Sequence, residues 1–203
     1  MNLNDQKRIG QHFELMYQAD QKPWTEHGPE PALKEFLKLL KKKYQAAKVL
    51  DIGCGDGWIS ILAAKAGHKV WGIDASVTAI IEAEETARQE GVGQKTHFQV
   101  GDALNLPYPK NFFDAAIDRG LFHHILPENH PVYFENILKV LKPESLAYLS
   151  VFSTKNPVGI GQLFTPELVD ELFGKDFKTI FFEQDPFPTE APAHLMHFIL
   201  ERK

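Results

Sequence analysis

Val49-Leu50-Asp51-Ile52-Gly53-Cys54-Gly55-Asp56-Gly57 is a short apolar run that stops in a glycine-rich turn. The run has the length and composition of a buried strand, and Ile59, Leu62, Ala63 and Ala66, at helical spacing before Gly67, mark a helix behind it. Strand, tight turn and helix in that order make the ligand-binding corner of an open α/β sheet, because the turn lies at the strand's carboxyl end beside a helix N-terminus. Gly53 and Gly55 begin like a dinucleotide fingerprint, but the third glycine of G-x-G-x-x-G would fall where Trp58 stands. A pyrophosphate cradle is therefore a poor fit.

Outward from this corner the alternation continues. Lys69 to Ile73 is a second strand, Ser76 caps a helix carrying Val77, Ile80, Ile81, Glu84 and Ala87, and Thr96 to Val100 is a third strand. Phe113 to Asp118 predicts a fourth strand, Val132 to Leu141 a helix stopped before Pro143, and Leu146 to Phe152 a fifth strand. Thr165 and Pro166 open a helix to Phe173, and Phe177 to Glu183 and His194 to Glu201 are closing strands. The stretch between those two, Asp185-Pro186-Phe187-Pro188 to Pro192, is too short for a crossover helix, so they are antiparallel neighbours. Upstream, Ile9, Phe13, Met16 and Tyr17 form the apolar stripe of a first helix after the capping candidates Asn4 and Asp5. Gln21 to Pro31, with Trp24 and His27 among its prolines and glycine, reads as an ordered crossing loop, and Pro31 starts a helix whose last turn holds Lys41 to Lys43.

Length favours one domain over 1–203: N-terminal helices acting as a lid over 1–45, and a cofactor-binding sheet core over 46–203. Lys plus Arg number 22 against 27 Asp plus Glu, a net charge of −5, so the chain lacks the basic field that a nucleic-acid partner requires. Cys54 is the single cysteine, which precludes an intrachain disulfide and points to a reduced, cytoplasmic setting. No apolar run approaches the ~18 residues that cross a bilayer, so no membrane association is expected. No metal is expected either: His123 and His124 are adjacent and point apart, and with Asp118 and His130 they make no i,i+4 ligand pair.

Two acids stand after successive strand ends, Asp74 in Gly72-Ile73-Asp74-Ala75 and Asp102 in Val100-Gly101-Asp102-Ala103. With Asp51-x-Gly53-Cys54-Gly55-x-Gly57, their spacing resembles the class I S-adenosylmethionine-dependent methyltransferases over residues 45 to 203. The resemblance implies an α/β, Rossmann-like fold: a seven-stranded, mostly parallel sheet, helices on both faces, and the last strand antiparallel. It implies that Gly53 and Gly55 face the methionine part of S-adenosylmethionine, that Asp74 accepts the two ribose hydroxyls, that Asp102 meets the adenine amino group with Ala103 and Leu104 beside the ring, and that Asp51, Cys54 and Ala75 belong to the same cofactor site. The chemistry agrees, since a sulfonium with a ribose needs carboxylate acceptors and no phosphate cradle.

A narrower resemblance lies outside that core. Tyr17 with Pro23-Trp24-x-x-x-Gly28-x-x-Pro31, and later Asp118-Arg119-Gly120-x-Phe122-His123-His124, is similar to the small-molecule branch of thiopurine, thiol and tellurite methyltransferase-like proteins. It implies that Trp24 and Arg119 touch the cofactor. The thiopurine members lack the double histidine, so the acceptor does not carry over. The expected activity is methyl transfer to a small molecule bearing a thiol, other chalcogen, heterocycle or hydroxyl. Tyr17, Trp24, Phe122 and His123 would line the acceptor; His123 or His124 would be a base near pKa 6.5, or a cation which with Arg119 favours a small anion. Cys54 has a thiol-activating position at a helix start, but the turn simply needs a small residue there. Trp58 is expected to pack on the sheet, His194 and His197 to be structural, and Phe187 and Pro188 to close the pocket or fill the core. The alternative is a non-catalytic S-adenosylmethionine-binding partner subunit, and the chain is a monomer or homodimer.

Overall fold

The computed structural model describes residues 3–24, 28–159, 161–184 and 193–203. Seven strands form one sheet: β1 (Lys48–Ile52), β2 (Lys69–Asp74), β3 (Thr96–Val100), β4 (Phe113–Arg119), β5 (Leu141–Phe152), β6 (Phe177–Gln184) and β7 (Leu195–Arg202), ordered β3-β2-β1-β4-β5-β7-β6. β1 to β5 pair in parallel, and β7 lies antiparallel between β5 and β6. The middle of the sheet is covered on both faces, which is why β1 and β4 are buried along nearly their whole length instead of alternating.

Six helices cover it: α1 (Leu3–Gln18), α2 (Pro31–Lys43), α3 (Trp58–Lys65), α4 (Val77–Gln89), α5 (His130–Val140) and α6 (Pro166–Phe173). Ala32, Leu33, Phe36 and Leu40 of α2 pack with Ile59 and Ala63 of α3 in one core. Tyr133 and Ile137 of α5 pack with Val169 and Phe173 of α6 in the other. Pro31 occupies the first turn of α2, where its missing N–H costs nothing, and Ser76 and Thr165 cap α4 and α6 by accepting from Ala79 and Leu168.

Several boundaries shift by a residue or two, and two differences bear on the fold. β5 begins at Leu141 and not at Leu146, with a register shift against β4 between Phe113 and Ala115. Pro143 sits in this early stretch, where a strand tolerates a residue that cannot donate to the ladder. α1 begins at Leu3, so Asp5 lies in its first turn, favouring the positive end of the helix dipole, and does not precede it as a cap.

The geometry therefore gathers the carboxyl ends of β1, β2, β4 and β5 at one rim, and α1 crosses above that rim. The helix passes close to the rim there: a Cβ on Gly10 would be in van der Waals contact, at 3.4 Å, with Ala75 Cβ.

Candidate functional site

Below α1 the strand ends open into a cavity of about 740 Å³. Asp51, Gly53, Cys54, Gly55, Asp74, Ala75, Asp102, Ala103 and Leu104 line its left half, around the ends of β1 and β2. The β1–α3 turn comes close to its neighbours: a Cβ at Gly53, whose φ is +69, would lie 2.9 Å from Leu121 Cβ, and one at Gly55 would collide with the Tyr17 hydroxyl.

Asp74 is held in a fixed orientation. Its Oδ2 accepts the Gly55 N–H and its Oδ1 the Ser76 N–H, each at 2.9 Å. Burial raises the Asp74 carboxyl above its ordinary value, and the backbone N–H groups around it hold it down; with about four lone-pair sites, the carboxylate still has acceptor capacity for hydroxyl donors. Exposed Asp102 accepts the Leu104 N–H at 2.8 Å. Asp51 lies deeper: Ser60 donates to it at 2.6 Å, and burial, with Asp118 and Asp74 adding to it, pushes its carboxyl up to about 7. Burial also pushes the Cys54 thiol well above its ordinary range, so that no thiolate is available at neutral pH.

The right half is walled by aromatic rings. Tyr17 and Trp24 meet edge to face at 5.7 Å, Trp24 and Phe13 at 5.5 Å, and Phe13 and His124 at 4.9 Å; His123 follows and stacks on Phe152 at 3.6 Å. The Trp24 Nε1–H donates to Tyr17 Oη at 3.3 Å. Both histidines are neutral at physiological pH, because burial pulls His123 well below its ordinary value and His124 down to about 4. Their roles differ. His123 Nδ1 accepts the Phe152 N–H at 3.2 Å, which leaves its Nε2 carrying the proton, whereas among the described residues no main-chain group fixes the His124 tautomer in this way.

Three expectations are corrected. Phe122 is fully buried among Tyr133, Phe164 and Phe173 and does not line the cavity; in the 3-10 turn Phe122–His124, successive side chains diverge, and the two histidines face the cavity instead. Arg119 lines the cavity but offers no free charge, since its Nε donates to Glu30 at 2.7 Å and its Nη1 to the Trp24 carbonyl at 3.2 Å. A protonated His123 is excluded by the same burial that makes it neutral. Trp58 packs, as expected, against the core that holds Val49 and Val70 of the sheet, and it also lies in the cavity wall, its ring 5.2 Å from the Arg119 guanidinium. Phe187, Pro188 and His27 lie outside the described residues. His197 is structural, bonded to Tyr148 Oη at 2.8 Å. Among the described residues, no three His, Cys, Asp or Glu side chains come together as a metal site, and no helix is long and apolar enough to cross a membrane.

Phe13, Phe152 and Gln6 line the cavity and were missed, as was Glu30, which is buried beside it and pairs with Arg119. The apolar stripe of α1 contains Phe13, but a stripe alone does not say what it covers.

Residues 49–144 match a family model described as a methyltransferase domain. An uncharacterised methyltransferase of Schizosaccharomyces pombe is 34% identical over 120 residues, covering 59% of this chain and 81% of that protein. The chain belongs to the class I S-adenosylmethionine-dependent methyltransferases. Among this methyltransferase's relatives is the 2-heptyl-1-hydroxyquinolin-4(1H)-one methyltransferase of Mycobacteroides abscessus, 33% identical over 134 residues; the match covers 66% of this chain and 57% of the relative's length. The fold is shared with the 1,6-didemethyltoxoflavin-N1-methyltransferase of Burkholderia thailandensis, whose crystal structure holds 1,6-didemethyltoxoflavin and S-adenosylhomocysteine: the TM-score is 0.82 at 21% identity, over 100% of this chain and 91% of that one. The donor set of this methyltransferase fits the family's cofactor, with lone pairs left open on Asp74 and no phosphate cradle beside them.

Proposed function

We propose that this methyltransferase transfers a methyl group from S-adenosylmethionine to a small, flat, uncharged heteroaromatic or quinone-like acceptor whose hydroxyl, thiol or ring N–H is itself acidic. The observation that carries the reading is the aromatic wall from Tyr17 to Phe152 combined with two neutral histidines. A flat acceptor is matched by ring faces and edges, each such pair adding roughly 0.5–1.5 kcal/mol beyond burial. The quinolone and toxoflavin named for the relatives are flat heterocycles of this kind.

S-adenosylmethionine, when bound, supplies a methyl group on a sulfonium that an in-line nucleophile displaces. Asp74 would hold its ribose hydroxyls, Asp102 with Ala103 and Leu104 its adenine, and the turn Gly53–Gly55 its methionine part. Tyr17 and Trp24 lie between the two halves of the cavity, where they would shut out water and fix the line of attack. Positioning of that kind supplies most of the acceleration in a displacement at carbon, with effective molarities of ~10⁵–10⁸ M. His123, protonated on Nε2, would donate to an acceptor oxygen, and His124 would take the acceptor's proton as the new bond to carbon forms. A base near pKa 4 is weak, so it serves only an acceptor whose proton is already acidic. With Arg119 paired to Glu30, a small preformed anion finds less support than the Arg119 position in the sequence implied.

Release of S-adenosylhomocysteine over a panel of acceptors tests the reading. Turnover of 1-hydroxyquinolin-4(1H)-one or a hydroxynaphthoquinone at least tenfold above that of a small aliphatic thiolate is expected. Turnover only of RNA or protein overturns it, and binding of the cofactor with no turnover of any acceptor favours a non-catalytic partner subunit.

A further inference from the structure

Among the described residues, the polar side chain of Gln6 fastens the roof helix to the acceptor side of the cavity. Its Oε1 accepts the Leu126 N–H at 2.8 Å and the Asn129 side-chain amide at 3.3 Å, and its Nε2 donates to the His124 carbonyl at 3.0 Å. A main-chain donor on one side and a main-chain acceptor on the other fix which end of the Gln6 amide is oxygen. All three bonds land on the segment between β4 and α5, the one that carries His124, at sequence separations of 118 to 123 residues. Two turns further along α1, on the same face, Phe13 meets the His124 ring edge to face at 4.9 Å. His124 is thus gripped from α1 at its main chain by Gln6 and at its ring by Phe13.

We propose that Gln6 is a positioning residue that ties the seating of α1 to the placement of His124, so that roof and proton acceptor assemble as one unit. The proposal rests on the reading of His124 as that acceptor. A base must sit within hydrogen-bond reach of the proton it takes, and His124 stands on a short 3-10 turn with few constraints of its own. Without Gln6 the helix would keep its Glu14 bonds to Ser76 and Thr78 and its place over the cofactor half. Its other end would lose the Gln6 bonds that tie it to Leu126, Asn129 and the His124 carbonyl. His124 is faced by His12 and Phe13 from α1, by His123 from its own turn and by Phe152 from β5; His12 and His123 are the titratable groups among them. Burial under α1 is the leading cause that keeps the ring neutral, so loosening α1 returns water to it.

Gln6→Met, which keeps side-chain length and helix propensity but removes all three bonds, is the test on the full chain, with Gln6→Ala as a second variant. Histidine NMR between pH 8 and 5 is recorded with S-adenosylhomocysteine bound. Wild-type His124 is expected to stay flat over this range. In Gln6→Met it should titrate within it, and the Leu126 amide should exchange with solvent at least tenfold faster, while S-adenosylhomocysteine affinity stays within threefold. An unchanged His124 titration and an unchanged Leu126 exchange rate in both variants overturn the proposal. So does a loss of cofactor affinity and melting temperature with His124 unmoved, since that is the outcome of a mere strap. Full activity of a His124→Ala protein would remove His124 as the base yet leave the titration result standing, so the two readings fail separately.

Discussion

Arg119, at the end of β4, and Glu30, the residue before α2, form an ion pair shut off from water, with side chains 9% and 0% exposed. The same guanidinium donates to the Trp24 carbonyl, so it fixes the aromatic loop and the start of α2 against the sheet together. Its charge is satisfied there and is not presented to an acceptor.

Removing one member of such a pair leaves an uncompensated charge in the interior. Glu30→Ala should therefore lower the unfolding free energy by about 3–5 kcal/mol, read by urea denaturation. A loss under about 1 kcal/mol would mean that water reaches Arg119 freely.

Asp74 should be the strongest single contributor to cofactor affinity, because a fixed carboxylate bonded to hydroxyls contributes roughly 1.5–3 kcal/mol and each ~1.4 is a factor of ten. In calorimetry with a folded Asp74→Ala protein, S-adenosylhomocysteine should bind at least tenfold more weakly than to wild type. Equal affinity would remove Asp74 from the site.

The part of the cavity around the ends of β1, β2 and β3 was readable from sequence as cavity lining because its signals are local. Asp51 to Gly57, Asp74 and Asp102 each sit within a few residues of a strand end, so an apolar run and a turn suffice to place them. The aromatic part of the cavity is built from pairs that local pattern does not encode. Gln6 reaches Leu126 across 120 positions, and Arg119 reaches Glu30 across 89. Phe122 and His123 are neighbours in sequence, yet one is core and the other cavity wall, because a single 3-10 turn sends them apart. Arg119 was legible as a site residue, but the partner that neutralises it was not.

Cys54 should be inert in the folded protein. Its thiol is buried and pushed well above its ordinary range, so a thiol-specific disulfide reagent at pH 8 should leave it unmodified for hours and react with one equivalent in denaturant. Reaction within minutes in the native state would mean that the turn opens or that the thiolate forms.

Glu14 fastens α1 to the cap of α4, accepting from Ser76 Oγ at 2.6 Å and Thr78 Oγ1 at 2.7 Å, and these bonds lower its carboxyl to about 2. A carboxyl depressed from 4.5 in the folded state stabilises above pH 4.5, and that contribution is lost as pH falls toward 2. Amide exchange across Phe13 to Tyr17 should thus be equally protected at pH 5 and 7, slowed further by S-adenosylhomocysteine, and faster in Glu14→Ala. No difference between Glu14→Ala and wild type would show that α1 is held by its apolar face alone.

The pH dependence of turnover in wild type and His124→Ala, with 1-hydroxyquinolin-4(1H)-one as acceptor, tests the central chemical claim most directly. Burial lowers His124 from 6.5 to about 4, so its base form is present above about pH 4 and is lost as pH falls through that value. The wild-type rate should hold from pH 8 to about 5 and fall only below that, and His124→Ala should be slower by roughly a hundredfold or more. An acid limb near pH 6.5 in wild type, or a His124→Ala rate within threefold of it, would contradict the account.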